Sequence, residues 1–234
     1  MAPAPVMPDL AGLPAAAVGE RLADLDVALT VDLPVPVRCE ARPGTVVRQR
    51  PSAGARLDPG AEVEIRMAAL DLEAFRGPCE PAGGDLGPVR GPDAALARAF
   101  YRFAADPSSG GALLAAADVW TGIEDGVAAT VVPRSRRTDL AGWRLDALYA
   151  ERGGPFNPLD VLAASGGYYE VHEGIAPTCG FGGSAAPPGL AHLRALSLTA
   201  PADTTAACMD WWGVTLFLDR ADRVRGVALR LGAP

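Results

Sequence analysis

Residues 44–66 read Gly44-Thr45-Val46-Val47-Arg48-Gln49-Arg50-Pro51-Ser52-Ala53-Gly54-Ala55-Arg56-Leu57-Asp58-Pro59-Gly60-Ala61-Glu62-Val63-Glu64-Ile65-Arg66. Val46 and Val47 open a short β run that breaks at Pro51-Ser52-Ala53-Gly54. Asp58-Pro59-Gly60 is a turn, because proline pre-sets φ and glycine accepts a positive φ without steric cost. Beyond it Val63, Ile65 and Met67 alternate with Glu62, Glu64 and Arg66. That period of two marks a strand with one face buried and one in water. In the first run the same alternation puts Arg48 and Arg50 on one side and Gln49 on the other.

Working upstream, Pro14 to Asp26 is expected to be a helix, with Pro14 in the first turn and Val18, Leu22 and Leu25 on one face. Val27, Leu29 and Val31 then alternate as a strand, which Pro34 and Pro36 are expected to end; Leu33 to Arg42 reads as a loop. Met7-Pro8-Asp9-Leu10-Ala11-Gly12-Leu13 resembles the opening Val-Pro-Asp-Val-Val-Gly-Leu of a PASTA module, and the stretch quoted first resembles the second half of the same module. The resemblance covers roughly residues 6–68. It implies one helix packed on three strands, in a small binding domain found in penicillin-binding proteins and bacterial receptor kinases. It also implies affinity for peptidoglycan fragments or β-lactam-like ligands.

The chain has 234 residues, 49% of them hydrophobic, which is enough for a real core in one large or two modest domains. Its net charge is −7, with seven arginines against nine acids in the first 69 residues and fourteen against nineteen beyond. Neither half is basic, which disfavours a nucleic-acid partner. No lysine occurs; all 21 basic residues are arginine, the mark of a high-GC bacterial genome. Its absence excludes Schiff-base, P-loop, kinase and Ser-x-x-Lys chemistry. No apolar run reaches the length of a membrane span. Met1-Ala2-Pro3-Ala4-Pro5 lacks the charged and apolar regions of a signal peptide. The expectation is a secreted or cell-wall-associated extracytoplasmic chain, mature or truncated, with a cytoplasmic protein as the alternative.

Four cysteines, Cys39, Cys79, Cys179 and Cys208, allow three pairings, and sequence does not choose among them. Cys39–Cys79 and Cys179–Cys208 each fall within a plausible local unit. Disulfides are favoured over buried free thiols because the module family works outside the membrane, where bridges persist.

Residues 70–91, rich in Gly-Pro pairs, read as a linker between a module at 1–69 and a second domain at 92–234. Asp93 to Ala105 reads as a helix with Leu96, Ala99, Phe100 and Phe103 on its apolar face. Asp125-Gly126 between Val119–Glu124 and Val127–Val132 is a hairpin signal. Trp143-Arg144-Leu145 reads as a short strand, Pro158 to Ala164 as a short helix, and Tyr168–Glu173 and Leu193–Leu198 as strands. Trp212–Asp219 and Arg223–Leu231 form a final pair of strands. The fold expected for the whole chain is α+β: one helix on a three-stranded sheet, then an α+β domain with a mostly antiparallel sheet.

Chemistry is sparse. His172 and His192, the only histidines, have no zinc spacing with Cys179 and Cys208, so no metal or other cofactor is expected. Gly180 to Ala185 matches a dinucleotide pattern, but Pro177, Pro187 and Pro188 prevent the strand and helix it needs. Glu170 and His172 would share a strand face, where Glu170 could orient the imidazole as a base; a solvated sheet face explains them more simply. Adjacent Trp211 and Trp212 would point to opposite faces, one into the core and one toward a ligand or protein partner. The reading is a non-enzymatic, cell-wall-associated binding protein with no catalytic residues. Arg48 and Arg50 are its candidate contacts for the carboxylates of muropeptides. Its rivals are an enzyme using His172 or His192, and a protein-interaction module for which the N-terminal part is only a spacer.

Overall fold

The structure is a computed structural model that describes residues 5–37, 41–70, 91–109, 111–123, 129–145, 157–177, 185–201 and 211–232. The chain divides into two compact units, Met1–Asp71 with Ala202–Ala206, and Leu72–Pro201 with Ala207–Pro234. The expected linker lies almost wholly outside the described residues, as do all four cysteines, the Gly180 loop and the Asp125-Gly126 turn.

The first unit contains α1 (Ala15–Leu22), β1 (Val27–Val37), β2 (Val46–Arg50) and β3 (Ala61–Leu70). The sheet order is β1-β3-β2, with β3 parallel to β1 and antiparallel to β2. This is the expected helix on a three-stranded sheet. Val63, Ile65 and Met67 of β3 are buried against Val18 and Leu22 of α1, with Met7, Leu10, Val46 and Leu57 closing the core. The helix is shorter than expected. After Leu22 the Leu25 N–H turns back to the Leu22 carbonyl at 2.9 Å, a tight last turn that releases the chain into β1.

Two local features depart from the sequence reading. The prolines do not end β1, which runs through Pro34 and Pro36 to Val37. β1 is an edge strand, where a missing N–H is tolerated, and the register slips between Asp32 and Val35 to absorb the irregularity. In β2, Val46 pairs with Met67 and Arg48 with Arg66, so Val47 is an extra residue forming a bulge. Strict alternation would put Val46 on the same side as Arg48. The bulge lets Val46 enter the core while Arg48 and Arg50 stay in solvent.

The second unit holds α2 (Pro92–Ala105), β4 (Val119–Ile123), β5 (Ala129–Val132), α3 (Pro158–Ala164), β6 (Glu170–Glu173), β7 (Arg194–Thr199), β8 (Trp212–Leu218) and β9 (Val224–Leu231). Its six-stranded sheet runs β5-β4-β9-β8-β7-β6, antiparallel throughout except for β4 with β9. The expected α+β domain with a mostly antiparallel sheet is therefore present. Helices α2 and α3 pack on each other and on the sheet. The buried face of α2 is Ala94, Ala97, Phe100, Tyr101, Phe103 and Ala104, rotated from the expected one so that Leu96 and Ala99 lie at its margin. Alanines at the contact let the helix approach closely, while Phe100 and Phe103 fill the space beside it. The expected strand at Trp143 is instead a 3-10 helix, Leu140–Trp143, started by the Asp139 carboxylate, which accepts from the Ala141 N–H. Trp143 is fully buried and its indole N–H donates to the Arg137 carbonyl at 2.9 Å. Arg194 ties the start of α2 to the β8–β9 turn, bonding Asp93 at 2.8 Å and Asp222 at 2.6 Å.

Ile65 is 2% exposed at the centre of the first core. Ile65→Ala is expected to destabilise that unit by about 2–5 kcal/mol through lost transfer energy and a residual cavity. Urea unfolding followed by a probe within residues 5–70 would measure it.

Candidate functional site

The side of β3 that faces away from α1 carries Glu62, Glu64 and Arg66. Its neighbours add Thr30 and Asp32 from β1 and Arg48 and Arg50 from β2. Together they line an open groove of about 570 Å³. The cross-strand register sorts these groups into rows. One row is Asp32–Arg66–Arg48, the next Thr30–Glu64–Arg50. Groups in a row lie side by side, so their charges add locally.

The bonds within the groove are uneven. Arg66 bonds Asp32 directly and sits 3.6 Å from Glu64. The Thr30 hydroxyl donates to Glu62 at 3.3 Å. Neither Arg48 nor Arg50 has a carboxylate oxygen within 4 Å among the described residues. The first row thus holds one carboxylate for two guanidiniums, and its positive end is at Arg48. Both arginines are exposed, as the sequence indicated, and Gln49 points the other way.

Gln49 has a role that sequence did not reveal. Its side-chain oxygen accepts from the Leu10 N–H at 2.8 Å, and its amide donates to the Pro8 and Pro51 carbonyls at 3.0 and 3.2 Å. One amide therefore clamps the N-terminal segment to β2 and holds the strand that presents both arginines. A polar residue opposite two arginines was the only available signal, and it did not indicate a partner 39 residues away.

The other sequence candidates lie in the second unit. Trp211 and Trp212 are 8% and 4% exposed, so the expectation that one would offer its ring to a partner is not met. Trp211 precedes β8 and lays its indole over Gly213, where an added Cβ would sit 2.7 Å from the ring. Glycine thus makes room for a second buried tryptophan. His172 and Glu170 do share a face, but both Glu170 and the Thr199 hydroxyl approach the same ring nitrogen, Nε2, at 3.5 and 3.1 Å. His192 lies exposed in a turn. Among the described residues no group of three histidines or acids could hold a metal ion.

Residues 5–69 match the family model of the PASTA domain. That family comprises non-catalytic binding modules associated with the bacterial cell wall and typically found outside the cell. No curated protein and no solved structure matches the chain. Among the described residues no helix is long and apolar enough to cross a membrane.

Asp32 gives the groove a measurable signature. Its carboxyl is held below the usual carboxylate range first by the Leu33 N–H, 2.7 Å away, against the opposing effect of partial burial, with Arg66 adding to the lowering. A depressed folded pKa supplies stability above the unfolded value near 3.9, and that stability is lost as pH falls through the folded value. Asp32 is partly exposed and its charge is screened by water, so the effect on stability is slight, but its titration by NMR is readable. Arg66→Ala should raise the Asp32 midpoint only part of the way, because the Leu33 N–H remains. A full return to the ordinary value would contradict the backbone contribution.

Proposed function

We propose that the first unit is a non-catalytic receptor for peptidoglycan fragments, with Arg48 and Arg50 holding a carboxylate of the stem peptide. The observation that supports this reading is the pair of exposed guanidiniums on one edge of a polar groove, neither matched by an acid among the described residues. A guanidinium presents two parallel N–H donors that fit a carboxylate, and two of them on alternate residues of one strand give a ligand two places to grip. The Asp32, Glu62 and Glu64 carboxylates lower in the groove suit an ammonium on the same ligand. A β-lactam-like molecule offers the same carboxylate. The second unit is a non-enzymatic partner domain on this reading, and the protein works outside the cytoplasm.

Replacing Arg48 and Arg50 together by alanine should weaken muropeptide binding by about tenfold, since charge-assisted hydrogen bonds contribute most where water is partly excluded and less at an open surface. Wild-type affinity should also fall as salt rises. Isothermal titration with purified muropeptides measures both, and an unchanged affinity in the double variant removes the reading.

The compartment has its own test. We propose the bridges Cys39–Cys79 and Cys179–Cys208. The intact mass of protein isolated from its native host should then increase by four hydrogens on reduction. No change in mass would point to thiols and to the cytoplasm.

A further inference from the structure

Three of the large apolar side chains that the structure leaves in water follow one another along β1: Leu29, Val31 and Leu33, at 43%, 59% and 78% exposure. Leu29 pairs in register with Val63, and Val31 with Ile65, so this stripe continues the core face of the sheet beyond the cover of α1. β1 is also an outer strand, with β3 on one side and no described strand on the other. An edge of this kind leaves backbone donors and acceptors open, here apart from the Leu33 N–H, which donates to the Asp32 carboxylate at 2.7 Å. The strand therefore offers both halves of a sheet contact, backbone and apolar side chains, in one place.

We propose that the occupant of this edge is β1 of a second copy of the chain, paired antiparallel about a two-fold axis through Val31. The sequence of the strand is self-complementary in that register. Val31 faces Val31 of the other copy, and Leu29 faces Leu33, so the uncovered stripe covers itself. On the opposite face Thr30 falls beside Asp32 of the other copy, and the reverse, so each Thr30 hydroxyl would exchange its bond to Glu62 of its own chain for the Asp32 carboxylate across the axis. Residues directly opposite in an antiparallel pair share a face, so these matches are direct. Centring on Thr30 also covers the stripe, with Leu29 against Val31, but it sets two hydroxyls together and leaves Asp32 beside Ala28; the remaining registers do worse. Centring on Asp32 opposes two carboxylates, an in-register parallel pairing does the same, and a one-residue slip puts leucines against polar groups. The stretch from Ala28 to Pro34 spans the pairing, and Pro34, with no N–H, bounds it at each end. The contact is isologous, so it closes at two copies and does not propagate.

The 234-residue chain should associate reversibly between about 1 and about 200 µM, read by sedimentation velocity. Val31→Lys sets two ammonium groups against each other on the axis, and Thr30→Asp sets two carboxylates against Asp32. Each should weaken association by about tenfold or more. Thr30→Arg should strengthen it by adding two ion pairs with Asp32. Val31 and Thr30 are exposed in the single chain, and circular dichroism with a thermal melt confirms that each variant folds. A wild-type chain that stays monomeric overturns the proposal, even if its β1 amide signals shift with a muropeptide, since the edge would then belong to another occupant. A dimer indifferent to Val31→Lys overturns the use of this edge. A dimer in which Thr30→Asp and Thr30→Arg act alike overturns the register through Val31.

Discussion

The three-stranded unit depends on the two faces of one strand. Val63, Ile65 and Met67 of β3 hold the helix, while Glu62, Glu64 and Arg66 between them form the floor of the groove. A strand cannot shift by one residue without exchanging those faces. The apolar demand of the core therefore fixes which charged groups face solvent and in what order. The rows Asp32–Arg66–Arg48 and Thr30–Glu64–Arg50 follow from the same register that buries Ile65. Core and groove are set by a single constraint.

What could be read from sequence follows from this. β3 has a period of two from Glu62 to Met67 and a turn with proline and glycine before it, and its buried face was clear, though the strand runs on to Leu70. The helix was clear through Val18 and Leu22, though its end was set by a backbone bond from Leu25 to Leu22 that no side chain announces. β2 was legible only in part. Its arginines sit where alternation placed them, but Val46 reaches the core through a bulge at Val47. A bulge depends on the partner strand, and sequence periodicity carries no information about it. Pro34 and Pro36 were read as a stop because proline usually ends a strand. At an edge that rule relaxes, and whether a strand is at an edge is a property of the assembled sheet.

In the second unit, legibility tracked burial on two sides. β8 is buried at every position, Trp212 to Leu218, between α3 on one face and a cluster of Leu190, Phe217 and Ala228 on the other. Its near-continuous apolar run was readable for that reason. Polar residues inside the sheet were less so. Ser197 is fully buried because its hydroxyl bonds Thr215 at 3.0 Å and the Gly174 carbonyl at 2.8 Å while accepting from the Ala176 N–H. Trp211 misled for a related reason. Its burial depends on the missing side chain of Gly213 two residues later, so both members of a pair expected to split between core and surface are part of the interior.

The order of strands in the first sheet also governs how it can come into being. β1 and β2 touch β3 and do not pair with each other, yet β3 is the last of the three to be made. A nascent chain emerging from the ribosome can coil α1 early, but it can close no β ladder until Ala61 to Leu70 appear. Until then the valines of both outer strands have no β partner, and the delay is set by the speed of synthesis. The module is thus assembled from its last segment inward, and an interruption of translation before residue 61 leaves nothing that can hold a sheet.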